Sequence, residues 1–288
     1  MLGKLLKFEL KASARTLLPL YAGTLLVAMV CGISNATRMS NMNKWHQAMA
    51  DGTAITFSSF SEPVDGGINT VIMFAMMLVF AFCVALVVMT VMCVIGRFND
   101  GIAGKEGYLM FTLPVKQETL LASKLLGALV WTLASMLVIF LVGVIIGGAA
   151  VWVEREFFDW QYLWERIWTW IQDYSLGFPL LLTAMNGLLS IISVILTIYL
   201  AVMVGQMEQF NKYRVAVAVV AFFVITWAFG LAETILMGLP GINMRPEHVA
   251  DVYGNYNMIA GMDSLCTAIF CIVCFCCTVW MMKKKLNL

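Results

Sequence analysis

Apolar residues in this chain gather into six long runs, at 17–34, 70–96, 125–151, 178–206, 215–237 and 264–282, each bounded by polar or charged residues. A helix needs about 20 apolar residues to cross ~30 Å of hydrocarbon at ~1.5 Å per residue, and each run reaches or approaches that length. A transmembrane strand needs about half as many, in strict alternation, and no such alternation is present. The pattern predicts an all-α membrane protein with six transmembrane helices. Residues 1–16 read as a separate N-terminal amphipathic helix. Lys4, Lys7, Lys11 and Arg15 fall on one stripe, while Leu2, Leu5, Leu6 and Leu10 point largely elsewhere. Such a helix lies in the headgroup plane. Residues 17–288 then form one six-span domain, with a cytoplasmic loop at 97–124 and a Trp-rich outer loop at 152–174.

Composition agrees. The 288 residues are 61% hydrophobic and 12% charged, against roughly half and a quarter in a soluble domain. Charge then sets orientation. With the N-terminus inside, thirteen of the 18 Lys and Arg fall on the inner segments and five on the outer loops, as the positive-inside rule requires. Five acids lie inside and eleven outside. Both termini are therefore expected in the cytoplasm, with loops 35–69, 152–174 and 238–263 outside. The basic stretch before the first run is long for the n-region of a signal peptide, so the first run is expected to stay in place.

The polar residues inside the runs are few. In the fourth, Thr183, Asn186, Ser190, Ser193 and Thr197 recur at steps of three and four, a single stripe. It is either hydrogen-bond glue between helices or a wall facing a substrate path. Glu233 reads as the only ionisable group well within a run, about 27 Å past its start and so near the outer interface. It is either a snorkelling acid or a contact for substrate. In the outer loop, Trp160, Trp164 and Trp168 follow helical spacing and are expected to anchor a helix at the interface. All eight Cys lie in the runs, where Cys271, Cys274, Cys276 and Cys277 are expected to pack as small apolar residues rather than bind metal.

Catalytic chemistry is absent from the pattern. Residues 101–106 lack the spacing and the Ser/Thr of a phosphate-binding loop. Both histidines, His46 and His248, sit in outer loops, and no HExxH exists. No nucleophile and base are placed to form a dyad, and nothing suggests nucleic acid. The chain is expected not to be an enzyme, and to bind no cofactor or metal.

One segment is too elaborate for a connector. Between the second and third runs the chain reads Glu106-Gly107-Tyr108-Leu109, then Leu113-Pro114-Val115, then Leu120-Leu121 with Lys124. Pro114 suits a helix start, which predicts a short helix over 115–123 with Leu120 and Leu121 on its apolar side and Lys116, Glu118 and Lys124 at the rim. This segment, with the amphipathic Leu5–Lys11 stretch, resembles the first cytoplasmic loop and N-terminal helix of type-two ATP-binding-cassette exporter permeases. The Trp-rich loop is longer than that family's usual turn. The resemblance implies a permease subunit of the bacterial cytoplasmic membrane, paired with a second copy or a sister permease. A separate ATPase would bind ATP and Mg. Glu106, Gly107, Tyr108, Pro114, Val115, Leu120, Leu121 and Lys124 would couple the two subunits. An apolar peptide, a lipid or a drug would suit so uncharged an interior. Two other readings stay open: a membrane sensor or immunity protein that binds peptide without transport, and a secondary carrier.

Overall fold

The structure, a computed structural model, describes residues 2–50, 66–102, 117–153, 160–173, 177–207, 213–237 and 249–285. These form seven helices: α1 (Leu2–Ala50), α2 (Gly66–Ile102), α3 (Gln117–Val153), α4 (Trp160–Asp173), α5 (Gly177–Gly205), α6 (Arg214–Met237) and α7 (Val249–Lys285). Among the described residues there is no strand. All but α4 are long and apolar enough to cross a membrane. The described residues are therefore all-helical, as expected, with six helices long and apolar enough to span a membrane.

The helix ends differ from expectation. No break separates residues 1–16 from the first span, and α1 runs on through the polar stretch to Ala50. Pro19 lies inside it, removing one backbone donor, and the helix continues past it. The short helix expected over 115–123 is not a separate element: from Gln117 onward its residues are the first turns of the 37-residue α3. Glu118 in that first turn is favourably placed at the positive end of the helix dipole. The last helix starts at Val249, so the loop expected to reach 263 is helical over its final residues. The helix expected within the Trp-rich loop is α4, whose apolar residues gather on one face.

Contacts divide the chain into two units. The first draws on Met1–Leu10, Met92–Val130 and Arg166–Leu288, the second on Lys11–Val91 and Trp131–Glu165. In the first unit α5 packs on α7 and on α6, and α6 touches α7. Its main core joins Val94 and Phe98 of α2, Leu120, Leu121 and Ala128 of α3, Ile195, Tyr199 and Met203 of α5, and Val279 and Met282 of α7. A smaller cluster sets Leu196 against Cys271 and Cys274. These two cysteines are thus packing residues of the α5–α7 seam, and the Cys271 thiol lies 3.8 Å from the Leu189 carbonyl.

The corner between α5 and α6 leaves no room for a side chain at Gly205. A Cβ on Gly205 would lie 2.5 Å from the Arg214 carbonyl oxygen and 2.9 Å from the Ala218 Cβ. Both are held by the first turns of α6 and cannot swing aside. Gly205→Ala is expected to destabilise the protein by about 1–3 kcal/mol, the range for overpacking. Thermal unfolding of the purified variant checks this. By contrast a Cβ on Gly127 would meet its nearest neighbour, Glu9 Cβ, at an ordinary 3.6 Å.

In the second unit Ala28 and Cys31 of α1, Val79 of α2 and Val142 of α3 form the core. A hydroxyl chain ties the same three helices. Ser135 Oγ lies 2.7 Å from both the Tyr21 hydroxyl and Thr90 Oγ1. Three hydroxyls, each donor and acceptor, satisfy one another where water is scarce.

Candidate functional site

The polar centre of the first unit lies where α1 and α3 begin and where α2 and α5 end. Lys124, one turn after Leu120 and Leu121, turns inward. Its Nζ donates to Glu9 Oε1 at 3.0 Å and to the Arg97 carbonyl at 2.9 Å. The two charged side chains are 2% and 10% exposed. The sequence places Lys124 at the charged rim of a docking helix. The geometry places it instead in the interior, because an ammonium there finds both a counter-ion and a carbonyl. Its own backbone carbonyl accepts the Tyr199 hydroxyl at 3.2 Å. The Tyr199 ring stacks on Phe98 with centroids 4.1 Å apart and planes 10° from parallel. Beside it Gln206 Nε2 donates to Asn99 Oδ1 at 2.7 Å.

One lysine therefore holds four helices. Through Glu9 it reaches the start of α1, through Arg97 the last turns of α2, and through Tyr199 the end of α5. α2 ends and α3 begins at the two roots of the segment 103–116. Glu106, Gly107, Tyr108, Pro114 and Val115 fall on that segment and lie outside the described residues. Leu120 and Leu121 are 5% and 0% exposed, inside the core that contains Phe98 and Tyr199. They do not form the exposed apolar side expected of them, because both side chains pack within the chain. Glu118 does face outward, paired with Lys283 at 3.4 Å with both side chains more than half exposed. An exposed pair of this kind contributes at most about 1 kcal/mol.

The polar stripe of α5 splits in two. Asn186 bridges to α7, donating to the Ala260 carbonyl at 3.0 Å and accepting from the Ser264 hydroxyl. That is an interhelical tie. Ser193 and Thr197 are buried, and each donates back to its own helix, to the carbonyls of Ser190 and Ser193. Thr183 donates to the Pro179 carbonyl, and both Thr183 and Ser190 face outward. Glu233 is not the sole ionisable group within the spans. Its carboxyl lies beside that of Asp263 on α7, and Asp263, expected in a loop, lies within a helix long and apolar enough to span. Of the interfacial tryptophans, Trp164 and Trp168 are exposed on α4, while the Trp160 side chain lies outside the described residues.

Sequence reasoning missed Glu9, Arg97, Phe98 and Tyr199. Glu9 left one trace, as the only acid in a basic N-terminal stretch. Tyr199 left another, as the only tyrosine in the fourth apolar run.

Among the described residues no group of His, Cys, Asp and Glu is arranged to hold a metal ion. The helices fit a multi-pass membrane protein. Comparison with protein-family models, curated proteins and solved structures finds no match in any of the three.

Proposed function

We propose that this chain is the transmembrane permease subunit of an ATP-driven exporter, with ATP hydrolysed by a separate ATP-binding-cassette subunit. The observation that carries the reading is the clamp on both roots of the 103–116 segment. Lys124 binds the Arg97 carbonyl across those roots, and the same residue is tied to α1 and α5. A push on the segment would reach four helices together rather than bend one. That is the mechanical requirement for converting nucleotide-driven motion into a rearrangement of spans, a two-state shift of packed helices. The motif read in the sequence at Glu106–Leu109 and Leu113–Val115 supports the same assignment. On this reading both termini face the bacterial cytoplasm, a second permease completes the pathway, and the cargo is an apolar peptide, a lipid or a drug.

The test is reconstitution. The full chain, purified from its own membrane with a tagged N-terminus, is expected to carry an ATP-binding-cassette ATPase. Hydrolysis by the pair in liposomes is expected to rise on addition of cargo. Replacing residues 103–116 by a Gly/Ser linker of equal length should release the ATPase while the chain still inserts and keeps its thermal stability. A chain that purifies with no ATPase, or whose ATPase stays bound and stimulated after the replacement, overturns the reading.

A further inference from the structure

The second unit carries a groove that neither the clamp nor the proposed coupling uses. Leu26, Val27 and Val30 of α1 and Phe74, Ala75 and Leu78 of α2 line an open cleft of about 360 Å³ with no polar side chain in its wall. Small Ala75 makes the room between larger neighbours. The groove follows the helix axes, because Leu26–Val30 and Phe74–Leu78 each advance roughly 6 Å. It lies within the apolar parts of two helices long and apolar enough to span a membrane.

Above it the chemistry changes along one stripe of α1. Val27, Ser34, Arg38 and Asn41 recur at steps of seven, four and three, so they share a face. Arg38 is exposed and sits eight residues past Val30, roughly 12 Å along the axis. Helical side chains lean toward the helix N-terminus, the direction in which the groove lies from Arg38. Among the described residues neither ion pair involves Arg38. Arg38 follows the end of the apolar run at 17–34, where headgroups are expected to begin, and a planar fork of donors matches a phosphate.

We propose that this groove holds an acyl chain of an anionic phospholipid whose phosphate pairs with Arg38. The chain fills an apolar cleft of its own width, and the cation selects the charge of the head. This site stands independently of the ATPase reading.

The experiment uses the full chain in nanodiscs doped with photo-crosslinkable lipids bearing a diazirine on the acyl chain, with labelled peptides read by mass spectrometry. Phosphatidylglycerol is expected to label 26–30 and 74–78 about fivefold more than phosphatidylcholine, the preference one surface cation confers. Arg38→Gln should bring that ratio close to one. Ala75→Leu, which fills the cleft, should remove groove labelling by both lipids and leave labelling of α6 around Phe223 and Trp227 unchanged. Equal labelling by the two lipids in the wild type, or a preference that survives Arg38→Gln, overturns the proposal. So does a groove that takes no label because a second copy of the chain covers it.

Discussion

Lys124→Met is expected to lower stability by about 3–5 kcal/mol, because it leaves the Glu9 carboxylate almost fully buried with no counter-ion. Glu9→Leu alone should cost a comparable amount, since it strands the ammonium. The pair Glu9→Leu/Lys124→Met should recover most of either loss. Replacing a buried ion pair by apolar groups of similar size is often close to neutral, whereas breaking one is not. The residual cost is the Arg97 carbonyl, which loses its Nζ donor. Thermal unfolding of the three variants in one detergent gives the double-mutant cycle. A double variant as unstable as the sum of the singles would mean the two charges do not depend on each other. Under the coupling reading the double variant has a second use. It should remain folded yet transmit poorly from the 103–116 segment, so ATPase stimulation falls while stability holds.

Leu121→Asp should be more damaging still. Leu121 is fully buried, in a core shared by α2, α3, α5 and α7. Truncation to Ala would already cost about 2–5 kcal/mol. A carboxylate adds the cost of burying a charge for which the core offers no partner. The variant is expected to be recovered in low yield, unfolded or degraded. A loss of ATPase binding in it would therefore say nothing about an interface. Glu118→Ala is the informative change in the same turns. Glu118 is exposed and its ion pair is a weak one, so stability should move by less than about 1 kcal/mol. Any partner that touches the start of α3 meets that side.

How far the sequence foretold this arrangement depends on which force governs each feature. Spans were legible because hydrocarbon demands runs of apolar residues, whatever they pack against. Helix ends were not, because the backbone has no reason to stop where the lipid does. Residues 33–50 contain neither Gly nor Pro, and α1 continues through them as a polar helix. At the other end Pro246 is the nearest breaker before α7, which starts three residues later, well ahead of the apolar run. The buried clamp was out of reach for a different reason. Glu9 and Lys124 are 115 residues apart, and no local pattern reports a pairing at that separation. Leu120 and Leu121 illustrate a genuine ambiguity. An apolar pair on one side of a helix reads identically whether it faces a partner or its own core, and only the position of Phe98 and Tyr199 decides.

α6 shows what remains when the neighbours contribute little. None of its most apolar stretch is buried. Its inner side packs along α5 and touches α7, with the Gly205–Ala218 corner at one end, the Phe229–Phe270 stack with centroids 4.0 Å apart, and Glu233 beside Asp263. Its outward side chains, among them Val220, Phe223, Val224 and Trp227, are exposed, and in hydrocarbon Val, Leu, Ile and Phe are nearly interchangeable. On that face the constraint is therefore compositional rather than positional. Exchanging apolar residues among those outward positions should leave insertion intact, as long as the sum of their transfer energies still carries the helix out of the insertion machinery and into lipid.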